Sequence, residues 1–198
     1  MIETLEEVRQ DVARRMARAA KDRRSPMHVP VVVTGDIDAR VMVLRAFDSD
    51  PDSSAWYLRF HTDTRAPKVA AIAADPRMAV LFYDKGAKIQ IRMRGTGEIL
   101  REDPAVEAAW NNGSNFARRC YLGDGPGTRS DAPTSGLPAE FEGTEPSDAE
   151  LETARANFAL LRIEVTSFDW LYLAHTGHWR AQFERGEDAT WQGHWATP

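Results

Sequence analysis

The sequence predicts a mainly β protein, a β-barrel with added helices, and three observations carry that reading. Short runs rich in valine, isoleucine and aromatic residues recur along the 198 residues, each bounded by glycine, proline, asparagine or aspartate. Within them apolar and polar side chains alternate, as Ile89, Ile91 and Met93 do against Lys88, Gln90, Arg92 and Arg94. The strand-helix-strand rhythm of a doubly wound sheet is missing, which favours a closed sheet. The length fits one domain over 1–198.

The N-terminal segment, 1–24, reads as a helix. Thr4 can cap it, Glu6 and Glu7 lie in its first turn, and Arg18, Lys21 and Arg24 lie near its end, the charge order a helix dipole favours. Ser25-Pro26 stops it. Two strands are expected next, Val29 to Thr34 and Ala39 to Phe47, joined through a hairpin turn at Gly35-Asp36-Ile37-Asp38. Trp56 to His61, Met78 to Tyr83 and Lys88 to Leu100 give three more. An acid-opened, alanine-rich helix follows from Glu102 to Asn111, ended by Asn112-Gly113. The stretch 123–147, dense in glycine and proline, is a long loop, and loops of that length are either disordered or functional. A short helix is expected over Asp148 to Arg155. Strands are expected at Phe158 to Val165, at Trp170 to Leu173 and around Trp179 to Phe183.

Composition narrows the function classes. A net charge of −5 argues against nucleic acid as a partner. No apolar run approaches the ~20 residues of a membrane helix, and the N-terminus lacks an apolar signal core, so the expected location is cytoplasmic. The single cysteine, Cys120, excludes an internal disulfide. No GxGxxG, GxxxxGK, GxSxG or CxxC motif is present. His175 and His178 are three residues apart, yet no carboxylate or cysteine completes a metal set, so no metal site is expected.

The most informative stretch is Trp56 to Pro76, which passes from a strand through Thr62-Asp63-Thr64 into a helix starting near Arg65 and stopped at Asp75-Pro76. Arg65 and Lys68 fall on one face of its first turn, beside free amides and the positive end of the dipole. Such a turn suits a phosphate. It equally suits a solvated surface, and the spacing alone leaves both readings open.

The wider pattern tips the balance. Arg40-Val-Met-Val-Leu-Arg45, Phe60-His61-Thr62 followed by Lys68 and Asp75-Pro76, Gln90 five residues before Gly95, and Trp170 followed by His178-Trp179-Arg180 together resemble the FMN-binding split-barrel family of pyridoxamine 5′-phosphate oxidases and related flavoproteins. The resemblance runs from Val31 to Pro198. It implies a six-stranded split barrel that dimerises, with FMN in clefts at the subunit interface, and a small-molecule substrate. Carried over by position, Arg40 and Lys68 would hold the FMN phosphate with Arg65 as an added cation. Val41, Met42, Val43, Leu44, Arg45, His61 and Thr62 would line the flavin, Gln90 would hydrogen-bond its ring system, and Trp170 and Arg180 would reach across from the second subunit. His178 is the one catalytic candidate. The sequence also departs from the oxidases: Arg45 stands where they have a lysine for the substrate phosphate, Thr176 where they have an arginine, and Ala66-Pro67 where they have serine and arginine. The family thus implies an FMN-dependent oxidoreductase. The alternatives are a flavin sensor or carrier without turnover, or a split barrel using deazaflavin or haem.

Overall fold

Helix α1 (Leu5–Lys21) is set by its first turn, where the Thr4 hydroxyl accepts from the Glu7 amide at 3.2 Å and the Glu7 carboxylate accepts from the Thr4 amide at 3.0 Å. This reciprocal cap satisfies amides that the helix itself cannot. Val8, Val12, Met16 and Ala19 form its buried stripe, and the helix packs on strand β3 (Leu44–Ser49). The computed structural model describes residues 2–49 and 54–198. The chain forms two compact units, one made of Met1–Phe60, Asp75–Glu98 and Arg162–Pro198, the other of His61–Ala74 and Ile99–Leu161.

Strand β1 (Val31–Thr34) turns at Gly35 to Asp38 and pairs antiparallel with β2 (Ala39–Val41), Val31 opposite Val41. The run expected as one strand from Ala39 to Phe47 is divided. After Val41 the chain donates from Met42 to the Pro30 carbonyl at 3.1 Å and from Leu44 to the His28 carbonyl at 2.9 Å. It then continues as β3, paired with β4 (Trp56–Asp63). No glycine or proline marks the change of partner, so the valine-rich sequence reads straight through it.

Strands β5 (Arg77–Asp84) and β6 (Ile89–Leu100) form an antiparallel pair, with Met78, Val80, Phe82, Ile89, Ile91 and Met93 buried. Strand β7 is a single element, Phe158–Tyr172, where two were expected. Its buried positions shift from Ile163 and Val165 to Phe168 and Trp170, and that slip from odd to even numbers breaks the period-two signal without breaking the strand. Strands β8 (Trp179–Arg185) and β9 (Trp191–Ala196) complete the sheet; β9 was not expected. The sheet order is β2-β1-β5-β6-β7-β4-β3, with β8 on β7 and β9 on β8. Among the described residues that makes nine strands, against the six the resemblance implies, and the protein is mainly β as expected.

The first unit is cored by stacked aromatics: Trp56 lies 5.0 Å from Phe168, and Phe168 lies 4.4 Å from Phe183, both nearly parallel. Trp191 tilts against Trp56 and Phe168, and its indole donates to the Ser54 carbonyl at 2.9 Å. The second unit holds α2 (Pro67–Ala74), α3 (Pro104–Asn111) and two single-turn helices, α4 (Asn115–Arg118) and α5 (Glu152–Arg155). Asp103 caps α3 by accepting from the Ala105 amide at 2.7 Å. Val106, Trp110, Leu151, Ala154, Phe158 and Leu160 form this unit's core. The loop 123–147 carries one 3₁₀ turn, Ala139–Phe141, and is held by its own backbone: Asp124 donates to the Gly136 carbonyl at 2.8 Å. No helix among the described residues is long and apolar enough to cross a membrane.

Candidate functional site

In the second unit the end of β4 runs into α2 through a turn organised by Asp63. Its carboxylate is 7% exposed; it accepts from the Arg65 amide at 2.8 Å and from the Arg65 guanidinium at 3.0 Å and 2.7 Å. Of the three residues expected to cap this turn, Asp63 is the one that accepts a backbone amide from it. Thr62 is buried, and Thr64 instead donates its own amide to the Asn157 carbonyl at 2.8 Å. The Arg65 guanidinium also donates to the Gly123 carbonyl at 2.9 Å and, more weakly, to the Tyr121 carbonyl at 3.4 Å. Hydrogen bonding to Asp63 outweighs the cost of burial and holds the Arg65 guanidinium above its ordinary pKa. Arg65 thus ties the start of the long loop to the turn before α2. Lys68 lies in the first turn of α2, half-buried. His61 is half-buried and packs edge-on against Phe158 at 5.0 Å.

In the first unit Arg40 lies on β2, donates to the Thr34 hydroxyl at 3.0 Å and pairs with Asp38. Val41 is exposed, Met42 and Val43 are half-buried, Leu44 is buried and Arg45 is exposed at a register shift in the β3–β4 pairing. Gln90 stands opposite Tyr83, on the face of β6 that also carries Arg92 and Arg94.

The C-terminal pair divides. Trp170 is 2% exposed within its own chain, and its indole N–H has no partner among the described residues. Arg180 donates twice to Oδ2 of Asp169, at 2.9 Å and 2.6 Å, and that oxygen also accepts from Arg92 at 2.7 Å and Gln182 at 2.8 Å. Burial disfavours the charged carboxylate, but these donors outweigh it and hold Asp169 below the usual carboxylate range. Its Oδ1 is buried without a partner among the described residues. Asp169, Arg92, Arg180 and Gln182 line a cavity of about 360 Å³ with Arg94 and Ser167. Sequence reasoning missed Asp169 as the centre of this cluster; the available signal was an acid set between Phe168 and Trp170 in an apolar run. His175 and His178 are exposed in the turn before β8, and no metal-binding group of side chains occurs among the described residues.

In the first unit Gln90 offers both a donor and an acceptor and Arg40 a cation; in the second unit Lys68 is a cation of the type that suits a phosphate. A buried indole N–H left unmade costs about 1–3 kcal/mol, and the Trp170 N–H is enclosed within its own chain, so it does not face a ligand as it stands.

Residues 13–101 match the family described as pyridoxamine 5′-phosphate oxidase, FMN-binding domain. A pyridoxine/pyridoxamine 5′-phosphate oxidase of Kineococcus radiotolerans is 35% identical over 95 residues, which are 48% of this chain and 37% of that protein. The match therefore spans little more than a third of that relative's length. Among solved structures, a pyridoxamine 5′-phosphate oxidase-related, FMN-binding protein of Nostoc punctiforme is 25% identical with a TM-score of 0.73, covering 96% of both chains. PhzG of Burkholderia lata, solved with tetrahydrophenazine-1-carboxylic acid, shares the fold at 18% identity and a TM-score of 0.59, covering 96% of this chain and 88% of its own. Residues 13–101 thus match the FMN-binding domain of the pyridoxamine 5′-phosphate oxidase family, and the chain as a whole shares the fold of a related FMN-binding protein.

Proposed function

We propose that this protein is an FMN-dependent oxidoreductase that acts on a small organic molecule and binds its flavin as a homodimer. The observation that carries the reading is that the FMN-binding family match, residues 13–101, contains Arg40, Thr62, Lys68 and Gln90 together. Bound FMN would supply hydride or electron exchange. The chain's own contribution is binding and orientation. Lys68, at the positive end of α2, and Arg40 take the phosphate, while Arg65, whose donors already serve Asp63 and two carbonyls, holds the turn that presents Lys68. Gln90 hydrogen-bonds the ring system. Arg180 is steered by Asp169.

Removing the Lys68 ammonium should weaken FMN binding. Lys68→Ala deletes one charge-assisted contact worth about 1.5–3 kcal/mol, a roughly ten- to hundredfold rise in Kd, read by fluorescence titration of the stripped protein. An unchanged Kd would place Lys68 outside the site. The proposed use of Arg180 across a subunit boundary requires two chains per functional unit. Sedimentation at micromolar concentration should therefore give twice the chain mass, and a flavin-loaded monomer would contradict the shared site.

A further inference from the structure

The second unit holds a cavity of about 700 Å³ whose lining shares no residue with the proposed flavin site. Helix α3 supplies Glu107 and Trp110, three residues apart and so on one face; α4 supplies Arg118; Asp148, with Glu152 and Arg155 of α5, supplies the remaining wall. Arg155 pairs with Glu107 and donates to the Phe158 carbonyl at 3.4 Å, which ties α5 to α3. Those two charges neutralise each other.

The other three are not matched in that way. The Arg118 guanidinium lies over the Trp110 ring, 5.3 Å from its centroid, and its side chain is 16% exposed, so it is largely shielded from solvent yet reachable from the cavity. It donates to the Asn115 side-chain carbonyl at 2.7 Å. Its carboxylate partner, Asp148, stands 3.6 Å away, too far for a hydrogen bond, and is 83% exposed. A pair so long and so wet is worth little. Asp148 accepts instead from the Asn115 side-chain amide at 3.1 Å. Glu152 is exposed and has no ion pair among the described residues. The cavity thus offers a cation without a hydrogen-bonded anion and a carboxylate without a cation, beside the buried Trp110 and Leu151. A simple anion would meet Asp148 and Glu152, and a simple cation would meet Arg118; a zwitterion suits both, and the volume is that of a small-molecule site. We propose that this cavity binds a short zwitterionic peptide, its carboxylate on Arg118, its ammonium on Glu152 and its apolar side chains against Trp110 and Leu151.

The test is a titration of the isotope-labelled full chain with leucylleucine, followed by proton–nitrogen NMR. The Trp110 indole N–H should shift along a saturating curve. N-acetylleucylleucine, which lacks the ammonium, and leucylleucinamide, which lacks the carboxylate, should each bind roughly fivefold more weakly or worse. Glu152→Gln should raise the Kd for leucylleucine roughly fivefold and leave that for N-acetylleucylleucine unchanged, and Arg118→Gln should weaken leucylleucine while leaving leucylleucinamide unchanged. Glu152 is exposed and covers no ring, so its variant remains decisive where loss of the Arg118 stack on Trp110 loosens the fold. Either blocked dipeptide binding as tightly as leucylleucine would overturn the proposal. So would an unchanged Kd in Glu152→Gln, or no saturable shift at millimolar concentration, as for a cavity covered by a second copy of the chain.

Discussion

Gly95→Ala is expected to destabilise the protein by about 3 kcal/mol or more. A Cβ at this position would lie 1.9 Å from the Glu164 carbonyl oxygen, 2.8 Å from its carbon and 3.1 Å from the Val165 Cα. All three are backbone atoms of β7, so no side chain can rotate away. Gly95 is not among the residues at positive φ, and the effect is therefore steric contact between neighbouring strands and not a conformational preference. Thermal unfolding of the variant beside the parent checks this. A variant as stable as the parent would mean that β6 and β7 do not approach this closely.

Arg65→Ala should lower the unfolding free energy by about 2 kcal/mol, because it strips a nearly buried carboxylate of its partner and takes the guanidinium donor from the Gly123 carbonyl, while the Tyr121 carbonyl keeps the Asn157 side-chain amide at 2.9 Å. Asp63 would keep only the Arg65 amide. The full penalty of a buried ion pair does not apply, since the Arg65 side chain is 33% exposed and partly screened. Arg65→Lys should recover less than half of the loss, because an ammonium cannot serve two carboxylate oxygens and two carbonyls with a planar fork. Combining Asp63→Asn with Arg65→Ala should be less harmful than the sum of the two, as the charge left unpaired by one change is removed by the other. Urea unfolding gives all four values, and a loss under about 0.5 kcal/mol for Arg65→Ala would show the clamp to be loose.

These two positions illustrate what the sequence reveals and what it hides. Local chemistry is legible: the Thr4 to Glu7 spacing announces the cap of α1, Asp103-Pro104 announces α3, and the alternation of Ile89, Ile91 and Met93 announces β6. Partner changes are not. The division of Ala39 to Phe47 depends on which neighbour each half finds, and β7 stays continuous through a slip of phase that reads as a break. Strand β9 was missed because Gln192, Gly193 and His194 lack strand-favouring side chains; its pairing rests on β8 beside it and on Trp191 in the core. The site divides in the same way. Arg40, Arg65, Lys68 and Gln90 stood out by residue type, but the carboxylates that occupy Arg40, Arg65 and Arg180 were invisible as partners. For Arg65 that pairing shifts the expected role from phosphate grip to turn support.

The central claim, that the chain is built around an FMN site, is tested most directly by what the protein releases. The protein, purified or reconstituted with a flavin mixture, should be yellow, and heating should free a flavin that chromatographs as FMN. One equivalent of FMN per chain is the expected result. Release of FAD, or no bound flavin after reconstitution, would contradict the account.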